Sequence, residues 1–107
     1  MVILLNINME FVNGILFVRP IGTLNINTSN KLKNTLIPMI KNYGIKNLVY
    51  NFLELRSIDE TGKSTLLDIY NEILCNNGKV LVVNNNFKLL YFKETNNELS
   101  ALKILQI

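Results

Sequence analysis

The chain is 107 residues long and 49% hydrophobic, with 11 basic residues against 8 acidic ones and a formal net charge of +3. That length suits one domain with one core, and the apolar content is enough to offset the ordering cost of a short chain, which excludes extensive disorder. With no histidine and a single cysteine, neither the common zinc arrangements nor an internal disulfide can be built, and the scattered basic residues give little footing for nucleic acid.

The longest apolar runs fall far short of the roughly 20 residues a membrane-spanning helix needs. Met1-Val2-Ile3-Leu4-Leu5 runs into alternating sequence rather than a cleavage site. The expectation is a soluble cytoplasmic domain with no membrane or nucleic-acid partner, no metal and no cofactor. Cys75, beside Ile73 and Leu74, reads as a small core residue rather than a nucleophile.

Over residues 2–9, Ile3, Leu5, Ile7 and Met9 alternate with wetter positions, the period of a strand with one buried face. Asn13-Gly14 is a two-residue turn signal, and residues 15–19 follow as a second strand closing an antiparallel hairpin. After Pro20 and Gly22, Asn27 or Thr28 is placed to cap a helix carrying Leu32, Leu36, Met39 and Ile40, with Pro38 inside it and Gly44 at its end. Residues 48–53 and 79–83 read as strands flanking a helix over about 60–76, whose apolar stripe is Leu66, Tyr70, Ile73 and Leu74. Strand, helix, strand in that order implies a right-handed parallel crossover. Phe87, Leu90 and Tyr91 suggest a short third helix, and residues 102–107 alternate like a last strand. The predicted order β-β-α-β-α-β-α-β describes a single α/β domain: a mixed sheet with an N-terminal antiparallel hairpin and helices mainly on one face.

One segment stands out chemically. Ser57-Ile58-Asp59-Glu60-Thr61-Gly62-Lys63-Ser64 connects a strand to a helix and ends in Gly-Lys-Ser, as a phosphate-binding loop does. Ser57 takes the place of the first glycine, and Asp59 and Glu60 put two carboxylates where anionic phosphates would lie. The better reading makes Asp59 a helix cap and exposes the Thr61 hydroxyl in the first turn, at the positive end of the helix dipole. Phosphorylation there would add about −2 charge and change the surface more than the fold. The plainest alternative is that Asp59 and Thr61 merely cap and solubilise a helix. A further one makes Asp59 or Glu60 an acid or base with Lys63 as charge partner, which requires a deep pocket.

Residues 48–62, Leu-Val-Tyr-Asn-Phe-Leu-Glu-Leu-Arg-Ser-Ile-Asp-Glu-Thr-Gly, resemble the strand, loop and Asp-Ser-Ser/Thr-Gly signature of the STAS family, the bacterial anti-sigma factor antagonists. Gly22-Thr23-Leu24-Asn25-Ile26-Asn27-Thr28 resembles that family's turn into the first helix, and Asn77-Gly78-Lys79-Val80-Leu81-Val82-Val83 its glycine-led strand. The resemblance implies a non-enzymatic regulator that binds an anti-sigma factor which is also a serine/threonine kinase, and that is switched off when this kinase phosphorylates the signature. It makes Thr61 the phosphorylated residue. It also implies a partner-binding surface of Gly22, Asn25, Asn27, Asp59, Glu60, Thr61, Gly62 and Lys63.

The chain departs from the family pattern at Glu60, where a serine is common, at Lys63, where an apolar residue is common, and at Asn25, where an acid is common. Glu60 repels an incoming phosphoryl group, whereas Lys63 or Arg56 offsets the charge. The second reading of the resemblance is therefore a STAS scaffold in a constitutive signalling complex, without a phosphorylation switch. The apolar stretch 99–107 is a candidate for edge pairing in a weak homodimer.

Overall fold

The structure, a computed structural model, describes residues 4–106. In chain order the elements are β1 (Leu5–Val12), β2 (Ile15–Leu24), α1 (Ser29–Tyr43), β3 (Asn47–Asn51), β4 (Leu55–Ile58), α2 (Glu60–Cys75), β5 (Lys79–Val83), β6 (Lys93–Thr95) and α3 (Glu98–Leu105). They form a six-stranded mixed sheet in the order β1-β2-β3-β5-β6, with β4 pairing the far end of β2 beyond β3.

The N-terminal hairpin is as expected: β1 and β2 pair antiparallel from Leu5↔Gly22 to Val12↔Ile15. Asn13 (φ 50°) and Gly14 (φ 80°) both adopt the left-handed conformation that a two-residue hairpin turn requires. Every other pairing in the sheet is parallel. Two cores result, one on each face. α1 and α2 cover the larger, built around Leu16, Val18, Leu32, Leu36, Ile40, Leu48, Tyr50, Leu66, Ile69 and Ile73. α3 covers the smaller, formed by Ile15, Phe17, Val49, Leu81, Val83, Ala101 and Leu105. Two of the three helices thus share one face, where Lys33–Asp68 at 2.9 Å also ties α1 to α2.

Several expectations are corrected. The first strand begins at Leu5, and Val2, Ile3 and Ile107 lie outside the described residues. The strand predicted over 48–53 stops at Asn51, and after a kink the chain pairs again as β4. Residues 87–91 form no helix, because Asn84 (φ 58°) and Lys88 (φ 54°) are left-handed and the Asn85 side chain clasps the main chain of Leu89. Phe87, Leu89 and Phe92 turn into the core instead, and Leu90 is 94% exposed.

The predicted last strand is helix α3, started by Asn97, whose Oδ1 accepts the Ser100 amide at 2.8 Å. The alternation of 102–107 is incidental, since Ala101 and Leu105, one helical turn apart, are the buried positions. On α2 the inward residues are Gly62, Thr65, Leu66, Ile69 and Ile73, so Leu74 and Cys75 point outward and Cys75 is exposed. Among the described residues no helix is long and apolar enough to cross a membrane.

Candidate functional site

β2 and β4 run parallel and end together, which brings the loop from β2 into α1 against the first turn of α2. Gly22 lies within β2, at a break in register where the strand continues beside β4. Its φ of 114° suits glycine, and a Cβ there would overlap the Leu4 carbonyl. The Gly22 amide donates to the Glu54 carbonyl at 3.1 Å, locking the kink between β3 and β4. Gly22 therefore shapes the site from within the sheet.

The loop after β2 folds around Asn25. Its Oδ1 accepts the amides of Asn27 at 2.9 Å and Thr28 at 3.2 Å. The expected side-chain cap of α1 is replaced by this Asx turn: Thr28 occupies the cap position without a capping bond, and its hydroxyl donates to the Thr23 carbonyl at 2.7 Å. Asn27 and Ile26 are exposed at the tip.

Asp59 caps α2 as the sequence indicates, with Oδ1 accepting the Gly62 amide at 2.8 Å. Its other oxygen, Oδ2, accepts the Ile26 amide at 3.1 Å, so one carboxylate joins the two loops. Gly62 is buried, and a Cβ added to it would sit 2.5 Å from the Leu24 carbonyl oxygen and 2.8 Å from Ile58 Cγ1. Only glycine lets α2 start this close to the end of β2. The Asp59 carboxylate already occupies the helix N-terminus, so this is no phosphate-binding loop in the nucleotide-binding sense.

Thr61, the second residue of α2, is exposed, and its hydroxyl makes no hydrogen bond among the described residues. Glu60 and Lys63 flank it and pair with each other at 3.3 Å, with Glu60 90% exposed. Ser57 sits below, its hydroxyl 3.2 Å from that of Thr23.

Sequence reasoning missed the third wall. The segment 84–92 returns across the sheet so that the Tyr91 hydroxyl lies 3.5 Å from the Lys63 carbonyl oxygen. Burial, and then the nearby Glu60 charge, pushes the Tyr91 phenol above its ordinary value. Only tertiary packing joins residues 63 and 91, and no local pattern signals it.

The assembled surface is a turn that presents the unbonded Thr61 hydroxyl, a compensated Glu60–Lys63 pair and the exposed side chain of Ile26, with Ser57 and Ser64 exposed on either side. Its main-chain groups are largely engaged internally. One groove, lined by Tyr70, Leu74, Leu81, Tyr91 and Ile104, borders the site only through Tyr91, and another is lined by Phe11, Met39, Tyr43 and Ile45; neither takes in Asp59, Glu60 or Lys63. Among the described residues no cluster of three or more potential metal ligands occurs.

The backbone is similar to those of several solved structures, among them three antagonist structures. The unphosphorylated form of the anti-sigma factor antagonist SpoIIAA matches with a TM-score of 0.81 at 16% identity, over 94% of this chain and 98% of that one. The phosphorylated form of SpoIIAA, the Bacillus cell fate determinant, matches with a TM-score of 0.74 at 15% identity, over 92% of this chain and 99% of that one. An anti-sigma factor antagonist from Mycobacterium paratuberculosis matches at 0.79 and 17% identity, over 96% and 95% of the two chains. At these identities the likeness establishes the fold. The family model of the STAS domain matches residues 6–90, from β1 through the turn that carries Thr61 to the segment after β5, and the chain belongs to the STAS domain family.

Proposed function

We propose that this domain is an anti-sigma factor antagonist: it binds an anti-sigma factor that is a serine/threonine kinase, acts by binding rather than catalysis, and releases its partner when Thr61 is phosphorylated. The observation that carries the reading is the exposed Thr61 hydroxyl at the second position of α2, on a turn held rigid by Asp59 and Gly62. Two loops that meet at one carboxylate form a preorganised surface, so little ordering entropy is lost on binding.

In the modification step the Thr61 Oγ1 attacks the γ-phosphorus of ATP bound to the kinase. The new P–O bond replaces the one to ADP, which leaves, and the hydroxyl proton passes to a base of the kinase. The product carries about −2 charge beside Glu60 and Asp59. Lys63 and the dipole of α2 offset part of that charge, so α2 stays folded, and the altered surface repels a partner fitted to a neutral hydroxyl. Gly22, Asn25 and Gly62 hold the shape, while Asn27, Glu60, Thr61 and Lys63 present the contact groups.

Glu60 favours the second reading, a scaffold that keeps its complex without a switch, because it supplies a permanent charge next to the hydroxyl. Incubation with the kinase and ATP, followed by mass spectrometry, separates the two. Phosphate on Thr61 is the expected result, and an unmodified chain, with Thr61→Ala indistinguishable from the parent in assembly, would leave the scaffold.

A further inference from the structure

The two edges of the sheet are built differently. β6 is three residues long, carries Lys93 and Glu94, and leads into α3. Short, charged edge strands discourage pairing with another chain. β1 has none of these protections. It is eight residues long, pairs with β2 in unbroken register, contains neither lysine nor proline, and its one charge, Glu10, is held by Arg19 of β2 at 3.0 Å. Among the described residues no other strand pairs with its outer edge.

The direction of its main-chain groups follows from the hairpin. A two-residue turn makes Val12 and Ile15 the closing hydrogen-bonded pair, so Val12, Glu10, Asn8 and Asn6 bond to β2. Leu5, Ile7, Met9 and Phe11 then direct their amides and carbonyls outward. The Lys31 ammonium donates to the Leu5 carbonyl at 2.5 Å and covers that end, which leaves Ile7, Met9 and Phe11 open. Their side chains lie on the α1 face, where Phe11 is 60% exposed beside the groove it forms with Met39, Tyr43 and Ile45.

We propose that β1 pairs antiparallel with β1 of a second copy of this chain, about a two-fold axis at Met9. In that register Met9 faces Met9 and Ile7 faces Phe11 of the second copy, giving about six main-chain hydrogen bonds and a continuous apolar strip on the α1 face. On the other face Asn8 meets Glu10 of the second copy, an amide opposite a carboxylate. The neighbouring registers are worse. An axis at Glu10 sets two like charges side by side, and an axis at Asn8 needs the Leu5 carbonyl that Lys31 occupies. β4 and the start of α2 lie on the opposite side of β2 from β1, so pairing leaves Thr61 exposed in both copies. The interface is independent of the proposed switch.

Sedimentation velocity on the full chain tests this, at loading concentrations from about 10 µM to about 500 µM, where a modest interface populates dimer. The expected result is a monomer–dimer shift with concentration that Met9→Lys abolishes while its circular dichroism stays that of the parent. Cysteine cross-linking in a Cys75→Ser background fixes the register. Met9→Cys places two Cα atoms about 5.5 Å apart, within disulfide range, whereas Phe11→Cys places them four residues out of register, about 14 Å or more apart. Met9→Cys should therefore cross-link at least about tenfold faster. A monomer at every concentration, a dimer indifferent to Met9→Lys, or Phe11→Cys cross-linking as fast as Met9→Cys would each overturn the proposal.

Discussion

The Asp59 carboxylate accepts the main-chain amide of Ile26 at 3.1 Å, joining residues 33 apart in sequence, while its other oxygen caps α2. One side chain thus sets the position of the loop after β2 relative to the helix that bears Thr61. Loss of a helix cap alone costs about 1 kcal/mol, and the second amide adds to it. Asp59→Ala should lower stability by about 1–2 kcal/mol in urea denaturation. Asp59→Asn, which keeps an acceptor oxygen, should cost less. Hydrogen exchange at the Ile26 amide should accelerate in Asp59→Ala.

Gly62 is the second fixed point of the turn. A methyl group there meets the Leu24 carbonyl oxygen and the Ile58 side chain, and the former is main chain that cannot rotate away. Gly62→Ala should destabilise by about 1–3 kcal/mol, as overpacking does, despite alanine's higher helix propensity. Thermal denaturation would check this, and a melting temperature at or above that of the parent would refute it.

α3 is held to the sheet by charge as well as by Ala101 and Leu105. Arg19 donates to Glu98 through Nε at 2.7 Å and Nη2 at 2.6 Å, and Asn51 donates to the same carboxylate at 2.8 Å. The Arg19 guanidinium, with Asn51, holds the Glu98 carboxyl below its usual value in spite of partial burial. A depressed folded-state pKa means stability present at neutral pH and lost as pH falls from the ordinary carboxylate range through the lowered value. Glu98→Gln should cost about 2 kcal/mol at pH 7. The difference from the parent should narrow as pH falls below the ordinary glutamate value of 4.5. Denaturation midpoints between pH 7 and pH 2.5 measure both; a pH-independent difference would contradict the assignment.

The hairpin, the two long helices and the crossover between them were legible because each has a strong local signal: Asn13-Gly14, apolar spacing over four turns, and caps that stop it. So was the capped turn at Asp59. β4 was not, because Leu55-Arg56-Ser57-Ile58 pairs with one neighbour only and exposes its two middle residues. α3 was misread because Leu102 and Ile104 flank Lys103, and Leu105 and Ile107 flank Gln106, like the two faces of a strand, while the informative signal, Asn97 three residues before Ser100, lies upstream. Within the site, Asn25 looked like a contact residue, and its side chain proves to hold the amides of its own loop. The approach of Tyr91 to Lys63 depends on left-handed turns at Asn84 and Lys88 that composition does not announce.

The Thr61 switch is tested by a calorimetric titration of a kinase-type anti-sigma factor with this domain, unmodified and then fully phosphorylated on Thr61. The unmodified domain should bind, and phosphorylation should cost about a hundredfold or more in affinity, roughly 2.7 kcal/mol, with both forms equally folded. Equal affinity of the two forms would contradict the switch.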